Sequence, residues 1–271
     1  MSTNIPYLDE VWSVTHGCTK ISEGCAHCYA ARLSERFPHG GNFGDVLPRE
    51  SQLDKPLHWR RPRRVGVCFM SDLFHEKVPD EFLDKVFAVM ALTPQHTFVL
   101  LTKRPERMRR YFNLPTRWAS LHSVLEGKGH YLIHYLPLPN VWLGVSVEDQ
   151  QAADERIPLL LETPAAHRWV SAEPLLGPVD LRLGEKQPHM DDGYLIRAPR
   201  IGEGLDWLVV GGESGPKARE MPFRALVNVV TDCGAAGVPV YVKQDSGPRP
   251  GQQGRIPDAV WAVNQLPEGW T

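Results

Sequence analysis

The chain has 271 residues, 42% of them hydrophobic and 23% charged, and a net charge of −2. That length fits one large α/β domain or two small ones with a substantial core. No apolar run approaches the length needed to span a bilayer, the first residues lack a secretory pattern, and three of the five cysteines cluster instead of spreading as a disulfide framework. A soluble, cytoplasmic protein without membrane association is expected, and the clustered cysteines read as metal-binding.

Short apolar, β-rich runs alternate with helical patterns along the chain. A strand at Trp12–Thr15 leads into the cysteine run and then a helix at Ala26–Phe37. The strand at Val65–Met70 precedes a helix at Pro79–Leu92, and the strand at Thr97–Leu101 precedes one at Pro105–Phe112. Val141–Val147 precedes Gln150–Glu162; Arg168–Ser171 follows; Trp207–Val210 precedes Pro222–Ala235; and Val238–Val242 is the last strand. Pro79 and Pro222 suit a first helical turn, and Gly237 suits a helix exit. The strands are almost continuously apolar, as expected where helices cover a mostly parallel sheet. The alternation predicts a parallel (β/α) barrel, partial or irregular and TIM-like, as a single domain over residues 1–271. Residues 120–138 and 184–204 have no clean period and read as insertions that form a lid or a partner surface. From Gly247 a Gly- and Pro-rich connector leads into a short C-terminal extension.

In a parallel barrel the chemistry gathers where strands run into their following loops. The first strand leads into the cysteine loop. The next ends bring Ser71, Asp72 and His75; then Thr102, Lys103 and Arg104; then Ser146 and Glu148. The last three bring Ser171 and Glu173, Glu213 within Gly211–Gly215, and Lys243 with Gln244. Converging strand ends of this kind suit a polar ligand pocket. Asp72 as a helix cap, Glu173 as a turn residue, and Lys103 and Arg104 as surface charges are the plainer alternatives.

Cys18, Cys25 and Cys28 are separated by six and then two residues. Three thiolates leave one coordination position to another group. A cubane iron–sulfur cluster so held has an open iron, whereas a structural zinc takes four protein ligands, here completed by His16 or His27. Cys68 and Cys233 lie in apolar runs and are expected to be buried packing thiols. Arg60, Arg61, Arg63 and Arg64 beside Trp59, and Lys103, Arg104, Arg107, Arg109 and Arg110, form two basic clusters. These suit a polyanion groove or, equally, a solvated face.

Several runs together resemble a known family. They are Trp12-Ser-Val-Thr-His-Gly-Cys18, Met70-Ser-Asp72-Leu-Phe-His75, Leu101-Thr-Lys-Arg-Pro-Glu-Arg107, Trp142-Leu-Gly-Val-Ser146, Ser171-Ala-Glu-Pro-Leu-Leu-Gly177, Val210-Gly-Gly-Glu-Ser-Gly215 and Val242-Lys-Gln244. The chain resembles the radical S-adenosylmethionine superfamily and, more closely, a phage-associated three-cysteine family, although the superfamily's usual first cysteine spacing is shorter. The resemblance implies a [4Fe–4S] cluster on Cys18, Cys25 and Cys28, with S-adenosyl-L-methionine on the fourth iron. One-electron reduction would yield a 5′-deoxyadenosyl radical that takes hydrogen from a substrate. Tyr29 would lie near the adenine, Ser71 and Asp72 near the methionyl amino group, and Ser146 and Glu148 near the ribose or carboxylate, with Lys103 on the same cofactor. Glu213 and Lys243 are the candidate catalytic residues, and Glu173, Glu213, Gln244 and His75 the candidate substrate contacts. A flavodoxin- or ferredoxin-type reductant is implied as a partner. The basic clusters favour a nucleotide or a nucleic-acid base as substrate. The alternative is a zinc-stabilised nucleic-acid-binding protein without redox chemistry.

Overall fold

The computed structural model describes residues 3–36, 41–126, 137–181, 183, 189–191, 194–196 and 204–270. Its main sheet has seven parallel strands: β1 (Glu10–Trp12), β4 (Arg64–Val67), β5 (Thr97–Thr102), β6 (Val141–Ser146), β7 (His167–Ala172), β10 (Trp207–Gly211) and β11 (Val240–Gln244), in that order. Spatial order follows chain order, and β1 and β11 are the edges. This is the predicted α/β partial barrel. Most of these strands are buried nearly along their whole length, β6 and β10 at every position, as a sheet covered by helices requires.

Two predicted strands end earlier than their apolar runs. The first leaves the sheet at Trp12, and Thr15–His16 (β2) pairs instead with Leu47–Pro48 (β3) in an antiparallel ribbon. The second stops at Val67, because Cys68 adopts a left-handed conformation (φ 57°) and turns the chain out of the ladder.

Backbone contacts divide the chain into two compact units. The first comprises Met1–Val145, Glu162–Ala166 and Gly269–Thr271. Its helices are α1 (Tyr29–Arg36), α2 (Asp80–Leu92), α3 (Pro105–Phe112) and α4 (Arg117–Glu126). Phe74, Phe87, Tyr111 and Phe112 form an aromatic cluster, with Phe87 stacked on Tyr111 at 5.4 Å. Helix α4 occupies the start of the stretch read as an insertion from residue 120. Buried Arg117 anchors it, donating to Asp84 (2.7 Å) and Asp80 (2.8 Å) and covering the Tyr111 ring at 3.8 Å. Residues 127–136 of that expected insertion lie outside the described residues.

The second unit comprises Ser146–Leu161 and His167–Glu268, with helices α5 (Gln150–Leu161), α6 (Phe223–Ala236) and α7 (Asp258–Trp261). Trp169 and Trp207, on adjacent strands, are fully buried with ring centroids 5.5 Å apart. The expected 184–204 insertion contains a small antiparallel ribbon, β8 (His189–Asp191) with β9 (Tyr194–Ile196); its remaining residues, apart from Gly204, lie outside the described ones.

Candidate metal centre and strand-end residues

The cysteine loop of the first unit is fixed at its entrance by backbone. Gly17 has φ +79°, and a Cβ there would lie 2.5 Å from the Asp45 carbonyl oxygen and 2.6 Å from that of Phe43. Only glycine fits. The next amide, of Cys18, donates to the Phe43 carbonyl at 2.8 Å. A short helical turn, Glu23–Cys25, follows, and Lys20 Nζ donates to the Ala26 carbonyl at 3.0 Å. Cys28 immediately precedes α1. All three loop cysteines are half-buried free thiols, whereas Cys68 and Cys233 are fully buried, as expected of packing thiols.

Above the loop entrance sits Arg104, only 6% exposed. Its guanidinium donates to Asp72 Oδ2 (3.1 Å), to both Glu76 oxygens (3.0 and 3.1 Å), to Thr19 Oγ1 (2.8 Å) and the Thr19 carbonyl (3.2 Å), and to Cys18 Sγ (3.6 Å). Burial pushes the Cys18 thiol up to about 11, the Asp72 carboxylate adding to the rise and Arg104 opposing it. His75 is buried; its Nδ1 accepts from the Lys77 amide at 3.2 Å, which leaves Nε2–H to donate to Thr19 Oγ1 at 2.9 Å. Its pKa is lowered, first by burial and then by Arg104.

The predicted residues of this unit therefore divide. Asp72 was expected to face a cofactor, but its oxygens accept from Thr102 Oγ1 (2.7 Å), the Phe74 amide (3.0 Å), the Lys103 amide (3.2 Å) and Arg104. It joins the ends of β4 and β5. Ser71 Oγ lies 2.6 Å from Thr15 Oγ1. The Tyr29 hydroxyl donates to the Phe69 carbonyl at 2.5 Å while the residue stays 43% exposed. Lys103 is half-buried. Arg104 and Thr19 are what sequence reasoning missed. Arg104 was visible only as a basic residue after a strand, and its burial depends on partners 28 to 86 residues away.

The second unit groups its candidates differently. Lys243 Nζ, at the end of β11, pairs with Glu173 Oε1 at 2.9 Å, and Ser171 Oγ donates to Glu173 Oε2 at 3.1 Å. Ser146 Oγ donates to the Glu173 carbonyl at 3.1 Å. Gly211 lies beneath this carboxylate: a Cβ there would be 3.0 Å from Glu173 Oε1 and 3.3 Å from Gln244 Cγ. The other candidates expected to meet ligands also have protein partners. Glu148, 1% exposed, pairs with Arg156 at 2.9 Å. Glu213 accepts from Arg219 at 2.6 and 3.1 Å and from its amide at 2.8 Å. Gln244 donates to the Gly212 carbonyl at 2.7 Å and accepts from the Gly251 amide at 2.9 Å. These are low-exposure polar groups, and a buried polar group needs a partner wherever it sits.

The basic clusters also resolve into pairs. Arg63 meets Glu10 at 2.9 Å and lies over Trp59, and Arg64 grips Asp9. Arg107 pairs with Asp80 at 2.5 Å, and Arg109 pairs with Glu162. Arg60, Arg61 and Arg110 are exposed.

The donor set of the loop suits an iron–sulfur cluster: three cysteines on one segment without a disulfide among them, with a guanidinium hydrogen bond to one sulfur. Among the described residues no group of three or more His, Cys, Asp and Glu is placed to hold a single metal ion. A cubane takes each thiolate on a different iron, so it makes no demand that the sulfurs converge on one ion. His16, a possible fourth zinc ligand, has Nδ1 3.3 Å from Arg49 Nη2, and its Nε2 is buried without a hydrogen-bond partner. No described helix is long and apolar enough to cross a membrane. No curated protein and no solved structure matches the sequence. A family model, DUF5131, a protein of unknown function, matches residues 2–257, and with that span the chain belongs to the DUF5131 family.

Proposed function

We propose that this protein is an iron–sulfur enzyme that reductively cleaves S-adenosylmethionine and modifies a substrate. The observation that carries the reading is the cysteine loop: three free thiols, braced by backbone at Gly17 and by Arg104 at Cys18. Cys18, Cys25 and Cys28 would hold the cluster. When bound, a [4Fe–4S] cluster with an open iron supplies the electron that splits S-adenosylmethionine into methionine and a hydrogen-abstracting radical. Tyr29 follows Cys28 directly and is 43% exposed, and Ser71 and Lys103 lie in the segments that follow β4 and β5 of the same unit. In the second unit, Lys243 is a half-buried ammonium held by Glu173, able to donate a hydrogen bond or a proton to a substrate oxygen. A flavodoxin- or ferredoxin-type protein is the electron donor in this reading. For the substrate, a nucleotide or nucleic-acid base remains our choice, supported by exposed Arg60 and Arg61; the paired arginines lend it nothing.

Anaerobic reconstitution tests the proposal. Brown protein carrying iron and sulfide, which forms 5′-deoxyadenosine from S-adenosylmethionine under reduction, is the expected result. Colourless protein that holds zinc instead would replace it with the Cys₃His reading. Steep loss of nucleic-acid binding with salt, flattened by neutralising Arg60 and Arg61, checks the substrate class.

A further inference from the structure

We infer that Arg104 is the positioning residue of the cysteine loop, fixing Cys18 and Thr19 against the ends of β4 and β5. The inference builds on the reading of Cys18 as a cluster ligand. An arginine has five N–H donors, and all five are placed here. Nε–H is shared by the two Glu76 oxygens. The two Nη1 hydrogens go to Asp72 Oδ2 and Cys18 Sγ, and the two Nη2 hydrogens to the Thr19 carbonyl and hydroxyl oxygens. Two of the five donors thus hold the guanidinium to carboxylates, and three hold the loop to the guanidinium.

The anchor is itself rigid. The Arg104 amide donates to Thr102 Oγ1 at 2.9 Å, and that hydroxyl donates to Asp72 Oδ1 at 2.7 Å. His75 adds a second donor to Thr19 Oγ1, so both acceptor positions of that oxygen are filled from the strand-end side. A lysine has a single nitrogen and cannot span the sulfur, the two Thr19 oxygens and two carboxylates at once. The donation to Cys18 Sγ also places a positive charge on one ligand sulfur, which stabilises the reduced form of a cluster and raises its potential.

The test uses Arg104→Gln, Arg104→Lys and Thr19→Val in the full chain. In metal-free protein, hydrogen exchange is measured on peptides covering residues 17–28 and on β5. Losing these charge-assisted hydrogen bonds should speed loop exchange at least about tenfold in Arg104→Gln. Arg104→Lys should protect the loop only in part. Unchanged loop exchange in Arg104→Gln, or full protection by lysine, overturns the inference. If Arg104→Gln also exposes β5, Thr19→Val decides: it removes the hydroxyl contact and leaves Asp72 and Glu76 paired, so loop exchange should still rise, and no rise overturns the inference. In reconstituted protein, Arg104→Gln should lower the cluster's midpoint potential at unchanged iron content, and an unmoved potential overturns the claim on the sulfur. Wild-type protein that takes up no iron refutes the cluster reading alone, because the exchange measurement stands without metal.

Discussion

Alanine at Gly17 would test whether backbone packing, rather than glycine's freedom alone, fixes the entrance to the cysteine loop. Gly41, in the same unit, is the matched control: its φ is +90°, yet an added Cβ would meet only the Asp45 side chain, at 3.7 Å. Both substitutions force a left-handed alanine, at about 1–2 kcal/mol. Gly17→Ala also drives a methyl to within 2.6 Å of two backbone carbonyl oxygens. Backbone cannot rotate away as a side-chain tip can, so the 43–45 segment must shift, at about 1–3 kcal/mol by analogy with overpacked cores. That shift stretches the 2.8 Å bond from the Cys18 amide to the Phe43 carbonyl, costing about 1 kcal/mol more. Gly17→Ala should therefore be less stable than Gly41→Ala by about 2–4 kcal/mol, the sum of those two terms. Urea unfolding of both variants, with hydrogen exchange at the Cys18 amide, measures the difference. Equal destabilisation would refute the reasoning, since it would mean that the two carbonyls yield freely.

Each of Cys18→Ser, Cys25→Ser and Cys28→Ser should strip iron from reconstituted protein, while Cys68→Ser and Cys233→Ser should keep it; full iron content in Cys25→Ser would sink the assignment. Glu148→Gln should destabilise by about 3–5 kcal/mol in thermal or urea unfolding, because it leaves the buried Arg156 charge without its partner. Unchanged stability with weakened S-adenosylmethionine binding would instead return Glu148 to the ligand role that the resemblance implies. Lys243→Met should keep iron content and substrate-independent 5′-deoxyadenosine formation while losing substrate modification, and parallel loss of all three would make Lys243 structural. His96 is buried with Nε2–H donating to the Pro56 carbonyl at 3.2 Å and Nδ1 unpartnered, and burial lowers its pKa from 6.5. The unfolded chain then binds more protons than the native one below about pH 6.5, so stability should fall with pH from that point down to the folded pKa. His96→Gln should flatten that segment of the stability–pH curve; an unaltered slope would exclude His96 as its source.

The order and number of main-sheet strands were legible from sequence because a strand buried on both faces must be apolar along its length, and Val141–Ser146 or Trp207–Gly211 reads that way locally. The left-handed turn at Cys68 and the exit of the chain at Trp12 were not, since an apolar run continues past both points. The helix at Arg117–Glu126 was missed because, besides the short buried pair Leu121 and Leu125, what holds it is a buried arginine bound to two aspartates on α2. Likewise, the cysteine triad and the polar strand ends could be picked out as candidates from position alone. Which of those polar groups remain available for a ligand is a matter of partnering across the chain. Asp72 and Arg104, for example, are 32 residues apart. A charge looks the same in sequence whether it faces solvent, a substrate or another charge. Tertiary packing gave Asp72, Glu148, Glu213 and Gln244 protein partners, and it brought Arg104 to the cysteine loop, because a buried polar group is stable only where the fold supplies its complement.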